Sequence, residues 1–177
     1  MFADTSLIMQ RISESATVKS ALGADKSATN LIARVAQECA HSLSSGGKII
    51  FAGNGGSFGD AQHISAEFTS KLMRDRKSLA SIALGTNSSA MSAIANDYGY
   101  EYIFAREIES VANENDIAIL ITTSGNSRNI LLAAEAAIKK NIKVFGLTGQ
   151  SGGLLAAMCE CISVPSVETA RIQECHI

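Results

Sequence analysis

Lys48-Ile49-Ile50-Phe51-Ala52-Gly53-Asn54-Gly55-Gly56-Ser57 decides the fold. Its first half is a short unbroken apolar run with glycines on either side, the pattern of a strand buried on both faces of a parallel sheet. Its second half is a glycine-rich turn. Beyond the turn, Ile64, Phe68 and Leu72 recur at helical spacing, so a strand gives way directly to a helix.

The same change recurs along the chain. Strands are predicted at 81–84, 116–121, 143–147 and 161–164, the last ended by Pro165. Helices are predicted over about 57–74, 87–112, 127–140 and 153–159, and a further one starts at Glu168. Residues 1–45 read as two more helices. The second carries a wide apolar stripe of Leu31, Val35 and Cys39 with Ile32, Ala36, Ala40 and Leu43, and the first a weaker one of Leu7, Ile8 and Ile12. Alternation of this kind predicts an α/β fold with a central parallel five-stranded sheet flanked by helices. No linker or repeat interrupts residues 1–177, which read as one domain.

Composition narrows the function. With 46% hydrophobic and 18% charged residues and a net charge of −2, the chain is an ordinary globular sequence with no electrostatic case for nucleic acid. Lys71, Arg74, Arg76 and Lys77 form the densest basic cluster, which reads as a solvated helix end. The four cysteines, Cys39, Cys159, Cys161 and Cys175, lack metal or redox spacing and read as packing residues. The first 20 residues do not resemble a secretory signal and no apolar run would span a membrane, so a cytoplasmic location is expected.

Parallel sheets bind ligands outside the carboxyl ends of their strands. Two turns there carry the chemistry. Gly53-Asn54-Gly55-Gly56-Ser57 opens a helix whose free N–H groups suit an anion; its plain alternative is a turn in which Ser57 caps the helix. The turn is no dinucleotide fingerprint, since Phe58 replaces the third glycine and no acidic residue closes the next strand. Thr122-Thr123-Ser124-Gly125-Asn126-Ser127 places four hydroxyls at a second strand-to-helix turn. Hydrogen bonds to a charged acceptor contribute roughly 1.5–3 kcal/mol each, so a few such donors hold a phosphate. Its plain alternative is a turn that caps its own helix.

His63 and Glu67 stand four apart on the helix after the first turn and share a face, expected near its loop end. Such a pair is often only an exposed contact. Beside a phosphate loop it could hold a metal, or Glu67 could move a proton between adjacent carbons, as aldose–ketose isomerisation requires.

GNGGS followed by DAQHISAEF, then AIANDYGYE, TTSGNSRN, LTGQSGG and ETARIQE, resembles the phosphoheptose isomerases of the SIS (sugar isomerase) domain superfamily over nearly the whole chain. The resemblance implies conversion of sedoheptulose 7-phosphate to D-glycero-D-mannoheptose 7-phosphate, an entry step to the heptose of lipopolysaccharide. It implies substrate contacts from Asn54, Gly55, Gly56, Ser57, Glu67, Asn96, Asp97 and Gln173. A phosphate loop of Thr122, Thr123, Ser124 and Ser127 follows, with threonine where the family opens on serine. Glu67 is the implied catalytic carboxylate, and His63, Glu67 and Gln173 are implied ligands of a zinc ion. A homotetramer with active sites shared between subunits is implied, its N-terminal helices in a central bundle. The family's fourth ligand, a histidine, would fall at position 181, past Ile177, and the last helical pattern is expected to continue that far. His176 aligns with a different family histidine. The alternative is a non-catalytic SIS protein of the replication-initiator-associating type, which binds a protein partner; Glu67 argues against it.

Overall fold

The computed structural model describes residues 4–177. Two helices open it, α1 (Thr5–Ala24) and α2 (Lys26–Ser44). Each begins at an aspartate whose carboxylate accepts first-turn N–H groups, Asp4 from Ser6 and Asp25 from Ser27 and Ala28. Strands β1 (Ile49–Gly53), β2 (Ser81–Ala83), β3 (Ile117–Ile121), β4 (Lys143–Thr148) and β5 (Glu160–Ser163) follow. Helices α3 (Gly56–Thr69), α4 (Ser88–Asp97), α5 (Ile103–Val111) and α6 (Arg128–Lys139) connect the first four, and α7 (Thr169–His176) comes last.

The five strands form one sheet in the order β2-β1-β3-β4-β5, every pair parallel. The expected fold class holds. Alternate residues of each strand serve opposite faces, as the two-residue period demands. Ile50, Ala52, Ala118, Leu120 and Val144 pack with α5 and α6. Ile49, Phe51, Ile117, Ile119, Ile121 and Phe145 pack with Val35 and Cys39 of α2 and Ala61 of α3. Phe51 also meets Phe68 of α3, ring centroids 5.8 Å apart. Full burial of one such side chain contributes about 1.5–3 kcal/mol. These contacts, more than any single polar one, fix where α3 lies.

This strand order places the site. The chain builds outward from β1 to β2, then returns to the other side of β1 as β3. A parallel sheet opens a crevice at such a reversal. Gly53 and Ile121, the last residues of β1 and β3, are register partners, so the two predicted turns begin side by side.

Four expectations need correction. The helix after the first turn stops at Thr69 rather than 74, and residues 70–80 form neither helix nor strand. Arg76 folds back there and donates to the carbonyls of Glu67 (2.6 Å), Phe68 (2.8 Å) and Ser70 (3.3 Å), which occupies the last carbonyls of α3. The basic cluster therefore lies on this exposed strap and not on a helix end. The helix expected over 87–112 is broken: α4 ends at Asp97, Gly99 turns the chain at φ 102°, and a 3₁₀ turn at Tyr100–Tyr102 leads into α5. The helix expected at 153–159 shrinks to a 3₁₀ turn at Leu155–Ala157.

The N-terminal stripes divide. Val35 and Cys39 are buried and Leu31 and Leu43 half-buried, whereas Ile32, Ala36 and Ala40 remain exposed, as do Leu7, Ile8 and Ile12 of α1. All four cysteines are free thiols. Burial pushes the Cys39 thiol up to about 11, as suits an inert packing residue. Among the described residues, no helix is long and apolar enough to cross a membrane.

Candidate active site

At the end of β1 the chain turns at once into α3. Gly55 sits at the helix start with φ 55° and ψ −117°, a conformation that favours glycine, and no side chain caps α3. Ser57 lies inside the helix and is 4% exposed, so the capping alternative fails for this turn.

The second turn behaves similarly. Ser127 stands at the start of α6, yet its hydroxyl meets the Thr122 hydroxyl at 3.1 Å and caps nothing. Helices α1, α2 and α4 are capped by Asp4, Asp25 and Asn87, whereas α5 and α7, like α3 and α6, have no side-chain cap. Both helices that open on the crevice thus leave their first N–H groups without a side-chain acceptor, an arrangement that favours an anion. Thr122 is buried, Thr123 and Ser127 half-buried and Ser124 exposed. The Ser124 hydroxyl accepts the Asn126 N–H at 3.1 Å and keeps its own proton to donate.

Residues 149–155 buttress this loop, a role the sequence motif alone did not disclose. The N–H of Gly149 donates to the Thr123 carbonyl (3.0 Å), that of Leu155 to the Gly125 carbonyl (3.0 Å), and that of Leu154 to Asn126 Oδ1 (2.9 Å).

A partly buried amide pair ties the two turns together. Asn54 Nδ2 donates to Asn129 Oδ1 and Asn129 Nδ2 donates to Asn54 Oδ1, both at 2.8 Å. Tyr100 adds its hydroxyl to Asn54 Oδ1 at 3.2 Å. Asn129 is 4% exposed in the first turn of α6; it closes the TTSGNSRN motif, but no local signal marks it as a site residue. Asn96 and Asp97 are exposed at the end of α4 and bond to each other, Nδ2 to Oδ1 at 2.8 Å.

The structure brings His63 and Glu67 together, Nε2 to Oε1 3.3 Å, on the solvent side of α3. It does not put both near the loop end. Glu67 lies in the last turn, about 16 Å along the axis from Gly56 at 1.5 Å per residue. Gln173 of α7 sits at the opposite end, its carboxamide against the Cα of Gly56, where any β-carbon would collide with it. Within one chain, His63 and Glu67 therefore offer nitrogen and oxygen donors of the kind zinc accepts, while Gln173 meets α3 at Gly56, the end far from Glu67. No group of three His, Cys, Asp or Glu suited to a metal occurs among the described residues.

Two titratable groups pack between α3 and the C-terminal helix. Burial raises the Asp60 carboxyl above the usual range, opposed by the charges of His176 and His63. Burial lowers His176, whose Nε2 faces the Thr148 carbonyl at 3.3 Å.

Residues 15–149 match the SIS domain family. The chain is a member of that family. It is 48% identical to the phosphoheptose isomerase of Aneurinibacillus thermoaerophilus over 171 residues, covering 96% of this chain and 86% of that protein. The phosphoheptose isomerase structure from Francisella tularensis superimposes with a TM-score of 0.91 at 36% identity, covering 99% of this chain and 93% of that one. The one from Neisseria gonorrhoeae gives 0.87 at 37%, covering 98% and 92%. Within the SIS proteins, this chain therefore belongs to the phosphoheptose isomerases, a family of aldose–ketose isomerases. That membership decides for the enzyme over the protein-binding alternative.

Proposed function

We propose that the protein converts sedoheptulose 7-phosphate to D-glycero-D-mannoheptose 7-phosphate, on a route to lipopolysaccharide heptose. One observation carries the reading: two uncapped helix starts converge at the β1/β3 reversal, joined by the Asn54–Asn129 pair and lined by hydroxyls. The phosphate enters the loop of Thr122, Thr123, Ser124 and Ser127. Backbone N–H groups and hydroxyls hold it there without a lysine or arginine in the loop. Asn54, Gly55, Gly56, Ser57, Asn96, Asp97 and Gln173 line the path of the sugar.

Glu67 takes a proton from C1, the carbon beside the carbonyl, and returns it to C2, the former carbonyl carbon, through an enediol. Meanwhile the C1 hydroxyl loses its proton to water and the C2 oxygen gains one from water. Its distance along α3 from Gly56 favours a site completed by a second copy, consistent with a homotetramer. Exposed Leu7, Ile8 and Ile12 on α1 suit the same assembly. Zinc would be held by His63 and Glu67, with Gln173 supplied by another subunit, and when bound would polarise the substrate oxygens. A cytoplasmic location accords with a phosphorylated substrate.

The test is direct. Sedoheptulose 7-phosphate is incubated with the purified protein in D2O, and the products are followed by NMR. An aldose carrying solvent deuterium beside its carbonyl is expected. No aldose at saturating substrate rejects the assignment.

A further inference from the structure

We infer that Asn129 is a positioning residue, which with Tyr100 reduces Asn54 to one fixed hydrogen-bond donor for an oxygen of the sugar phosphate. The inference rests on the function proposed above for the role of Asn54, but its structural part stands separately.

A side-chain amide has two N–H donors and an oxygen with two acceptor positions. In Asn54 the oxygen accepts from Asn129 Nδ2 (2.8 Å) and from the Tyr100 hydroxyl (3.2 Å), which fills both positions. One of its N–H groups donates to Asn129 Oδ1 (2.8 Å). A single N–H is left for a ligand. Because the two amides face each other through a pair of antiparallel bonds, neither can rotate without breaking both. Asn129 is itself buried at the start of α6, a helix packed against β3 and α5, which holds its side chain in place. The donor's direction is thus set before any ligand arrives, and pre-set geometry is worth most in catalysis.

The pair also spans the two turns. Asn54 belongs to the turn after β1, and Asn129 follows the hydroxyl loop after β3. The spacing between the phosphate-holding loop and the sugar-facing amide is consequently held by side chains, not only by the sheet. A ligand oxygen that can accept, whether hydroxyl or carbonyl, is what this donor selects.

The experiment compares Asn129→Ala and Asn129→Asp with the wild type. Ionised, the introduced carboxyl can accept from Asn54 Nδ2 but cannot donate to Asn54 Oδ1. Protonated, it regains a donor and restores both bonds. At pH 8 both variants are expected to lose about tenfold or more in kcat/KM, the scale of one lost directed hydrogen bond, with melting temperatures still well above assay temperature. As pH falls, the Asn129→Asp activity should rise relative to wild type, while the Asn129→Ala ratio stays level. A constant ratio for Asn129→Asp at every pH, or wild-type kcat/KM in Asn129→Ala, overturns the inference. A crystal structure of Asn129→Ala supplies the arm that needs no substrate: Asn54 is expected to leave its native rotamer. Asn54 unmoved in that structure also overturns the inference. Wild-type protein that turns over no heptulose phosphate rejects the function proposed above instead, and leaves this structural arm to decide the positioning role.

Discussion

Gly125 presses its Cα against the carbonyl of Gly152, so closely that a β-carbon on Gly125 would overlap that oxygen. Gly125 also has φ 69°, where a side chain costs about 1–2 kcal/mol. Gly125→Ala must therefore move either the hydroxyl loop or the 149–155 buttress. Since Thr123, Gly125 and Asn126 are all bonded to that buttress, the hydroxyls lose their common frame. KM for a sugar phosphate should rise by tenfold or more, with a much smaller change in KM for the dephosphorylated sugar. Steady-state kinetics on the two compounds checks this; equal changes would detach the loop from the phosphate.

The opposite end of the sheet answers differently. Asp116 is buried, and its carboxylate accepts the Lys48 N–H (2.8 Å), the Lys48 ammonium (2.6 Å) and the Asn113 N–H (2.7 Å). It ties the beginnings of β1 and β3, far from the turns at their ends. Asp116→Ala leaves two backbone donors without their partner and should cost about 2–4 kcal/mol. At this chain length that lowers the melting temperature by roughly 5–15 °C. Below the transition, kcat and KM should stay near wild type. A melting temperature within a degree or two of wild type would show that water replaces the carboxylate at no cost.

His176 should make stability depend on pH. Its folded pKa lies below the ordinary 6.5 because burial disfavours the charged form. The unfolded chain then binds more protons than the folded one below about pH 6.5, so stability is full above that value and declines as pH falls through the folded pKa. Asp60, raised by burial, works in the other direction at higher pH than an ordinary carboxyl. His176→Gln keeps a polar side chain and removes the titration. Melting temperatures measured from pH 8 to pH 5 should fall less steeply for His176→Gln than for wild type. Parallel curves would take His176 out of the account.

Much of the fold is visible in the chain because buried parallel strands are unbroken apolar runs: 48–53, 116–121 and 143–147 each read as a strand and each is one. Helix ends were harder. Leu72, Met73 and Arg74 favour a helix locally, but Arg76 returns to the carbonyls of Glu67 and Phe68 and ends it, a tertiary event with no local mark. The break at Gly99 did carry a signal, an isolated glycine inside a helical pattern. In the site, hydroxyl and glycine turns were legible because their composition is unusual. Asn129 was not, since its partner is 75 residues away, and neither was the buttress at 149–155, whose hydrogen bonds exist only once β3 and β4 are paired. Local spacing showed that His63 and Glu67 share a face. The same residue count, at 1.5 Å per residue, already puts Glu67 about three turns beyond the loop, so the expectation that both lie near the loop end misjudged a distance the sequence contained.

That distance gives the assignment of Glu67 a sharper test than loss of activity. Glu67→Gln keeps the shape of the side chain and removes the base, so turnover should drop by about 10²–10⁴-fold, with substrate binding nearly unchanged in calorimetry. Ser124→Ala weakens the phosphate loop in the same protein. If each site takes its loops from one copy and its carboxylate from another, subunits carrying Glu67→Gln and subunits carrying Ser124→Ala can together build some sites with neither lesion. Co-expressed and purified as mixed oligomers, and assayed at substrate well below the raised KM of Ser124→Ala, the two impaired proteins should then turn over substrate faster than the sum of the two assayed separately. No such gain in verified mixed oligomers would mean that Glu67 serves the loops of its own chain. Wild-type turnover in Glu67→Gln by itself would remove the carboxylate from the reaction altogether.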